Sequence, residues 1–107
     1  MRIAICEDNK EHAKILKGMI KEWAEEEQVK VEIGHYMSAE QFLFCWEKEA
    51  KYDLIFLDIE MAKMSGMELA RYIRRVDRAV LIVFTTGIVD YVFRGYEVSA
   101  FRYLRKP

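Results

Sequence analysis

Apolar and polar positions alternate along this chain in blocks, and each apolar block ends in a residue capable of chemistry. Arg2-Ile-Ala-Ile-Cys6 runs into Glu7 and Asp8, and Leu54-Ile-Phe-Leu57 runs into Asp58. Ala79-Val-Leu-Ile-Val-Phe84 runs into Thr85-Thr86, and Phe101-Arg-Tyr-Leu104 stands just before Lys106. The uninterrupted runs Leu54 to Leu57 and Ala79 to Phe84 predict strands buried on both faces, Arg2 to Cys6 predicts a short buried strand, and Phe101 to Leu104 a last strand. Val29-Lys-Val-Glu-Ile33 instead alternates with period two, which predicts an edge strand.

Helical spacing fills the gaps between these strands. Ala13, Ile15, Leu16, Met19, Ile20 and Trp23 recur every three or four residues and predict a helix with these six on one face, opened by the polar cluster Glu7-Asp8-Asn9. Ser38-Ala-Glu-Gln41 reads as a capping box before a second helix carrying Phe42, Leu43, Cys45 and Trp46. Ser65-Gly-Met-Glu68 reads as another, before a third helix with Leu69, Ala70 and Ile73 inward and Arg71, Arg74 and Arg75 outward. Asp90 to Tyr96 predicts a short fourth helix, weakened by Gly95. Strands that alternate with helices predict an α/β domain, a parallel sheet doubly wound with helices on both sides. Five strand units do not close an eight-stranded barrel.

Length and charge narrow the class. A chain of 107 residues fits one domain around one sheet. A net charge of −1 offers no basic footprint for nucleic acid or anionic lipid. The longest apolar run is too short to span a bilayer, and Glu7-Asp8 follows the first strand too soon for a signal peptide, so no membrane role and a cytoplasmic location are expected. Cys6 and Cys45 lie in apolar stretches without a CxxC pattern and read as buried, reduced thiols. His12 and His35 have no partner at ligand spacing and read as surface or packing residues; Met61, Met64 and Met67 read as packing.

In a parallel sheet the carboxyl ends of the strands form the binding edge. This chain sends Glu7, Asp8, Asp58, Glu60, Thr86 and Lys106 there. Each has an ordinary explanation alone: a cap, a turn, a solvated charge. Together, clustered carboxylates repel one another unless a cation joins them, and hard oxygen donors suit Mg²⁺. A metal, an ammonium group and a hydroxyl are what holding phosphoryl oxygens requires, and a carboxylate such as Asp58 is able to form an acyl phosphate.

These residues, across essentially the whole chain, resemble the receiver domain of two-component response regulators. The resemblance implies a flavodoxin-like five-stranded order 2-1-3-4-5, with Glu7-Asp8 as the acidic pair, Asp58 as phosphoacceptor, Thr86 as switch hydroxyl, Tyr103 as switch aromatic and Lys106 before Pro107. It implies Mg²⁺ held by Asp8, Asp58 and the backbone carbonyl of Glu60, with Glu7 acting indirectly. The lysine–proline bond is commonly cis in such domains. Asp90-Tyr91, Gly95-Tyr-Glu-Val-Ser-Ala100 and Tyr103-Leu-Arg-Lys-Pro107 resemble receivers joined to LytTR-type DNA-binding domains. The implied function is a phosphorylation-controlled switch fed by a sensor histidine kinase, regulating transcription through a DNA-binding output domain. The implied domain is not an enzyme beyond catalysing its own phosphorylation and dephosphorylation.

The chain departs from the family in Ala62, where a proline is usual after Met61, and in Gly87, where another small residue is usual. It also stops at Pro107, before the expected fifth helix. Residues 1–107 are therefore expected to be a receiver truncated at its C-terminus. Its first-helix stripe, and Ile3 and Ile5 or their neighbours on the opposite face, would lack part of their cover, and the bare face would favour a homodimer. Three other readings fit part of the pattern. A Toprim-like metal-dependent nucleic-acid enzyme explains the acids but gives Thr86 and Lys106 no part. A degenerate receiver acting only as a binding module leaves the full reacting set unexplained. A flavodoxin-like domain with an incidental acidic edge does the same.

Overall fold

The computed structural model describes residues 1–46, 51–61, 63–86 and 102–105; for residue 86 and residues 102–105 it describes the backbone. The elements run β1 (Arg2–Cys6), α1 (Lys10–Glu26), β2 (Glu32–Tyr36), α2 (Ala39–Trp46), β3 (Leu54–Asp58), α3 (Gly66–Val76), β4 (Leu81–Thr86) and β5 (Arg102–Arg105). All five strands are parallel, in the order β2-β1-β3-β4-β5. This is the α/β architecture and strand order expected. The fourth helix expected over Asp90 to Tyr96 lies outside the described residues.

Side chains of a strand point alternately to the two faces of the sheet, so the apolar runs feed two cores. Ile3, Ile5, Phe56 and Val83 pack with Ala13 and Ile20 of α1 on one face. Ala4, Cys6, Ile55, Leu57, Ile82 and Phe84 pack on the other with Phe42 of α2 and Leu69, Ala70 and Ile73 of α3. Ile3 and Ile5 are each only 1% exposed, so these two do not lack cover, contrary to that part of the expectation.

The predicted stripe of α1 splits in two. Ala13, Ile20 and Ala24 are buried, whereas Ile15, Met19 and Trp23 are exposed. Six positions at mixed three- and four-residue spacing wrap too far round a helix for all of them to reach one sheet. β2 also begins later than its alternation suggests. Gln28 turns the chain at a φ of 55°, and pairing then runs from Arg2↔Glu32 to Cys6↔Tyr36, so main-chain register with β1 decides the strand rather than side-chain pattern.

The helix starts are built as their sequences require, with one variation. Asn9 caps α1, its Oδ1 accepting from the His12 N–H at 3.0 Å. Ser65 and Glu68 form the reciprocal box on α3. At α2 the Gln41 N–H donates to Ser38 Oγ, but Gln41 Oε1 accepts from Met37 rather than from Ser38. Arg74 does not stay outward. Its guanidinium folds back onto the Val80 carbonyl at 2.6 Å, and partial burial lowers its pKa. The Asp77 carboxylate accepts from the Ala79 and Val80 N–H groups. These bonds hold residues 79 and 80 in a bend, which is why β4 begins at Leu81.

Candidate functional site

β1 and β3 are neighbours, with Cys6 opposite Leu57, so the residues following these two positions emerge side by side. Carboxylate oxygens of Glu7, Asp8 and Asp58 all lie within 4.8 Å of one another. Asp58 and Glu7 are buried, at 2% and 4% exposed, while Asp8 is open to solvent. Two ionised carboxylates at this separation repel by roughly 3–4 kcal/mol at the effective dielectric of a protein site, before any desolvation cost is added. A divalent cation reverses the sign of that interaction, and three hard oxygen donors with one side open to water suit Mg²⁺. The residues present therefore fit the metal.

Asp58 is fixed by its own loop. Its Oδ1 accepts the Glu60 N–H at 3.1 Å, forming a tight turn directly after β3. The Ile59 N–H donates to the Thr85 carbonyl, and the Gly66 N–H to the Ile59 carbonyl at 2.9 Å. The start of α3 thus folds back against the end of β3. No side chain fits at Gly66, because a Cβ there would stand 2.1 Å from the Asp58 carbonyl oxygen.

Glu7 is held at several points. Its N–H donates to the Tyr36 carbonyl, and its Oε2 accepts from the Asn9 N–H at 3.2 Å. Both histidines of the chain meet it as well. His35 donates through Nε2 to the Glu7 carbonyl at 2.9 Å, and His12 Nδ1 lies 3.8 Å from Glu7 Oε1. His35 is exposed and His12 half-buried, as surface or packing residues are, and both also touch Glu7. Sequence spacing hides this, because one approaches along α1 and the other across β2. The one available signal is that His12 sits three residues after the cap Asn9, on the turn nearest the acids.

The structure brings Glu7, Asp8 and Asp58 together and places Glu60 two residues beyond them, exposed at the mouth. Thr85 is the β4 residue opposite Asp58, and its hydroxyl donates to the Leu57 carbonyl at 3.4 Å. Thr86 ends β4 one residue later, paired with Arg105, and Tyr103 pairs with Phe84. Lys106, Gly87, Ala62 and the Lys106–Pro107 bond lie outside the described residues. Beside this edge, the Cys6 thiol is buried and its pKa is pushed far up by desolvation, so it remains protonated and is no nucleophile. Burial, then the hydrogen bond to Tyr52, raises the Tyr36 hydroxyl in the same way. No described helix is long and apolar enough to cross a membrane.

Known proteins repeat this architecture. The family model for the response regulator receiver domain matches residues 3–107. An uncharacterized response regulatory protein of Vibrio cholerae is 42% identical over 55 residues, covering 51% of this chain and 21% of that protein. The sensory transduction protein LytT of Bacillus subtilis is 34% identical over 59 residues, covering 55% of this chain and 24% of LytT. The matched segment is thus about a fifth to a quarter of these relatives' length. Among solved structures, the response regulator TrrA of Thermotoga maritima, in complex with Mg²⁺-BeF, superposes with a TM-score of 0.83 at 28% identity over 99% of this chain and 86% of that one. A two-component response regulator from Clostridium difficile gives 0.83 at 28% identity over 100% and 84%.

Proposed function

This chain belongs to the receiver-domain family of two-component response regulators, and on that premise we propose that it accepts a phosphoryl group on Asp58 from a sensor histidine kinase, with Mg²⁺. The observation that carries the reading is the meeting of Glu7, Asp8 and Asp58 oxygens within 4.8 Å at the carboxyl ends of β1 and β3. Asp8, Asp58 and the Glu60 carbonyl are the proposed ligands, with Glu7 acting through its position beside them. When bound, the metal neutralises the carboxylates and the charge on the incoming phosphoryl oxygens.

The chain's own residues do the rest. One Asp58 oxygen attacks phosphorus, the P–N bond of the kinase phosphohistidine breaks, and the released imidazole nitrogen takes up a proton. The product is an acyl phosphate on Asp58. The turn through the Glu60 N–H holds the carboxylate in one orientation, so little rotational freedom is lost on reaction. Lys106 and the Thr86 hydroxyl are the proposed contacts to the phosphoryl oxygens.

The new charge then acts as a switch. Thr86 is drawn towards the phosphoryl group and Tyr103 turns inward, shifting the population between two packings of the β4–β5 side of the sheet. β4 and β5 are hydrogen-bonded neighbours, which supports coupling between these two positions. Output through a DNA-binding domain, and hence transcription control, is proposed from the resemblance of the chain's last residues to receivers joined to LytTR-type DNA-binding domains. A cytoplasmic site of action follows from a kinase donor. The direct test is labelling with acetyl phosphate. Phosphorylation that proceeds with Mg²⁺ and stops on chelation supports the site, and labelling indifferent to the metal contradicts it.

A further inference from the structure

Between β3 and α3 the described residues are 59–61 and 63–65, and Glu60 among them is tied by its N–H to Asp58 of the acidic cluster. Most of the hydrogen bonds of this loop are local: Glu60 to Asp58, Gly66 to Ile59, and the Ser65–Glu68 box. Among the described residues, two reach distant parts of the chain: the Ile59 N–H donates to the Thr85 carbonyl at the β3 end, and a second bond holds the α3 end. Glu40, on the first turn of α2, accepts the Met64 N–H through Oε2 at 3.3 Å, across 24 residues of sequence. α2 is itself fixed to the sheet, because Ala39 and Phe42 on either side of Glu40 are fully buried. The carboxylate is therefore a peg on a rigid element, gripping a loop that has a left-handed residue, Lys63 at a φ of 64°, immediately before the gripped amide. A non-glycine residue in that conformation persists where its surroundings hold it.

We propose that Glu40 is a positioning residue for the phosphorylation site. Its hydrogen bond to Met64 holds the Asp58–α3 loop in the form that presents Glu60 to the metal. Glu40 touches neither metal nor phosphoryl group and acts through the loop backbone. This deepens the receiver reading and rests on it. The chemistry needs an acceptor oxygen at this point, not a charge, and Glu40 is exposed, so its removal leaves the core intact.

The test compares the unaltered chain, Glu40→Ala and Glu40→Gln. Mg²⁺ alone is titrated by amide NMR, and the rate of labelling by acetyl phosphate at saturating Mg²⁺ is measured beside thermal unfolding. The expected result is that Glu40→Ala weakens Mg²⁺ binding about threefold to tenfold, the size of one net hydrogen bond. Glu40→Gln, whose amide oxygen also accepts, should restore binding to near the unaltered value, and Glu40→Ala should still unfold in one transition, within the few degrees that one hydrogen bond is worth. Equal Mg²⁺ affinity in Glu40→Ala and the unaltered chain overturns the proposal. So does a Glu40→Gln variant as weak as Glu40→Ala, since charge rather than the hydrogen bond would then be responsible. If the unaltered chain binds Mg²⁺ and takes the label, either failure falls on Glu40 alone; if it does neither, the receiver reading fails and takes this inference with it.

Discussion

Gly66 and Asp58 meet backbone to backbone: a Cβ on Gly66 would stand 2.1 Å from the Asp58 carbonyl oxygen and 2.8 Å from its carbonyl carbon. The first turn of α3 is therefore pressed against the residue proposed to carry the phosphoryl group. What opposes a side chain here is main chain, which cannot swing aside as a flexible neighbour would. Gly66→Ala is expected to destabilise the domain by roughly 1–3 kcal/mol, in the range for overpacking a well-packed site. Urea unfolding measures this directly. An unchanged midpoint would mean that α3 is free to move away from β3.

The cap on the same helix makes a smaller, separable contribution. The Ser65 hydroxyl accepts the Glu68 N–H at 3.2 Å, and Glu68 returns a bond to the Ser65 N–H. Ser65→Ala is expected to cost about 1 kcal/mol. A loss well above 2 kcal/mol in urea unfolding would show that Ser65 does more than cap.

Charge in the acidic cluster sets a trade between stability and function. Without metal, Asp58 and Glu7 are buried carboxylates close enough to repel. Asp58→Asn is expected to raise the unfolding midpoint of the metal-free protein by a few degrees. It should also largely remove the extra stability that Mg²⁺ confers on the unaltered chain, because the stabilisation follows the affinity for the folded state. Thermal scans with and without Mg²⁺ check both halves. A metal-free midpoint lower than that of the unaltered chain would contradict the repulsion argument.

Alkaline pH should loosen the domain through Cys6. Burial raises its folded pKa far above the unfolded value of about 8.5, so the folded state keeps the thiol proton where the unfolded chain releases it. The sign follows: this contribution is fully present below about pH 8.5 and is progressively lost as pH rises above that value. Tyr36 adds a loss of the same sign from about pH 10 upward. The urea midpoint is expected to hold from pH 7 to 8 and to fall by pH 9.5, with a shallower fall in Cys6→Ala. Parallel falls in both proteins would assign the effect to other groups.

The fold was legible in the sequence wherever burial leaves a pattern. Leu54 to Leu57 is apolar throughout because β3 lies between two cores, and Ser65 with Glu68 marks a helix start by local chemistry alone. Alternation places β2 too early because its register comes from main-chain bonds to β1, which no side-chain rule records. Periodicity puts the α1 stripe on one face because it counts apolar positions without knowing how wide a stripe the sheet covers. Asp8 and Asp58 were legible as strand-end acids. The contacts of His12 and His35 with Glu7, and of Glu40 with Met64, were not, since each joins elements whose proximity exists only once the sheet is ordered.

The central claim is that Asp58 is the phosphoacceptor, and its most direct measurement is site mapping. The chain is incubated with acetyl phosphate and Mg²⁺, reduced with borohydride to convert an acyl phosphate to a stable alcohol, digested, and sequenced by mass spectrometry. The account predicts one modified residue, Asp58, and no modification anywhere in Asp58→Asn. Modification at Glu7, Asp8 or Glu60 in the unaltered chain, or none at all with Mg²⁺ present, would contradict it.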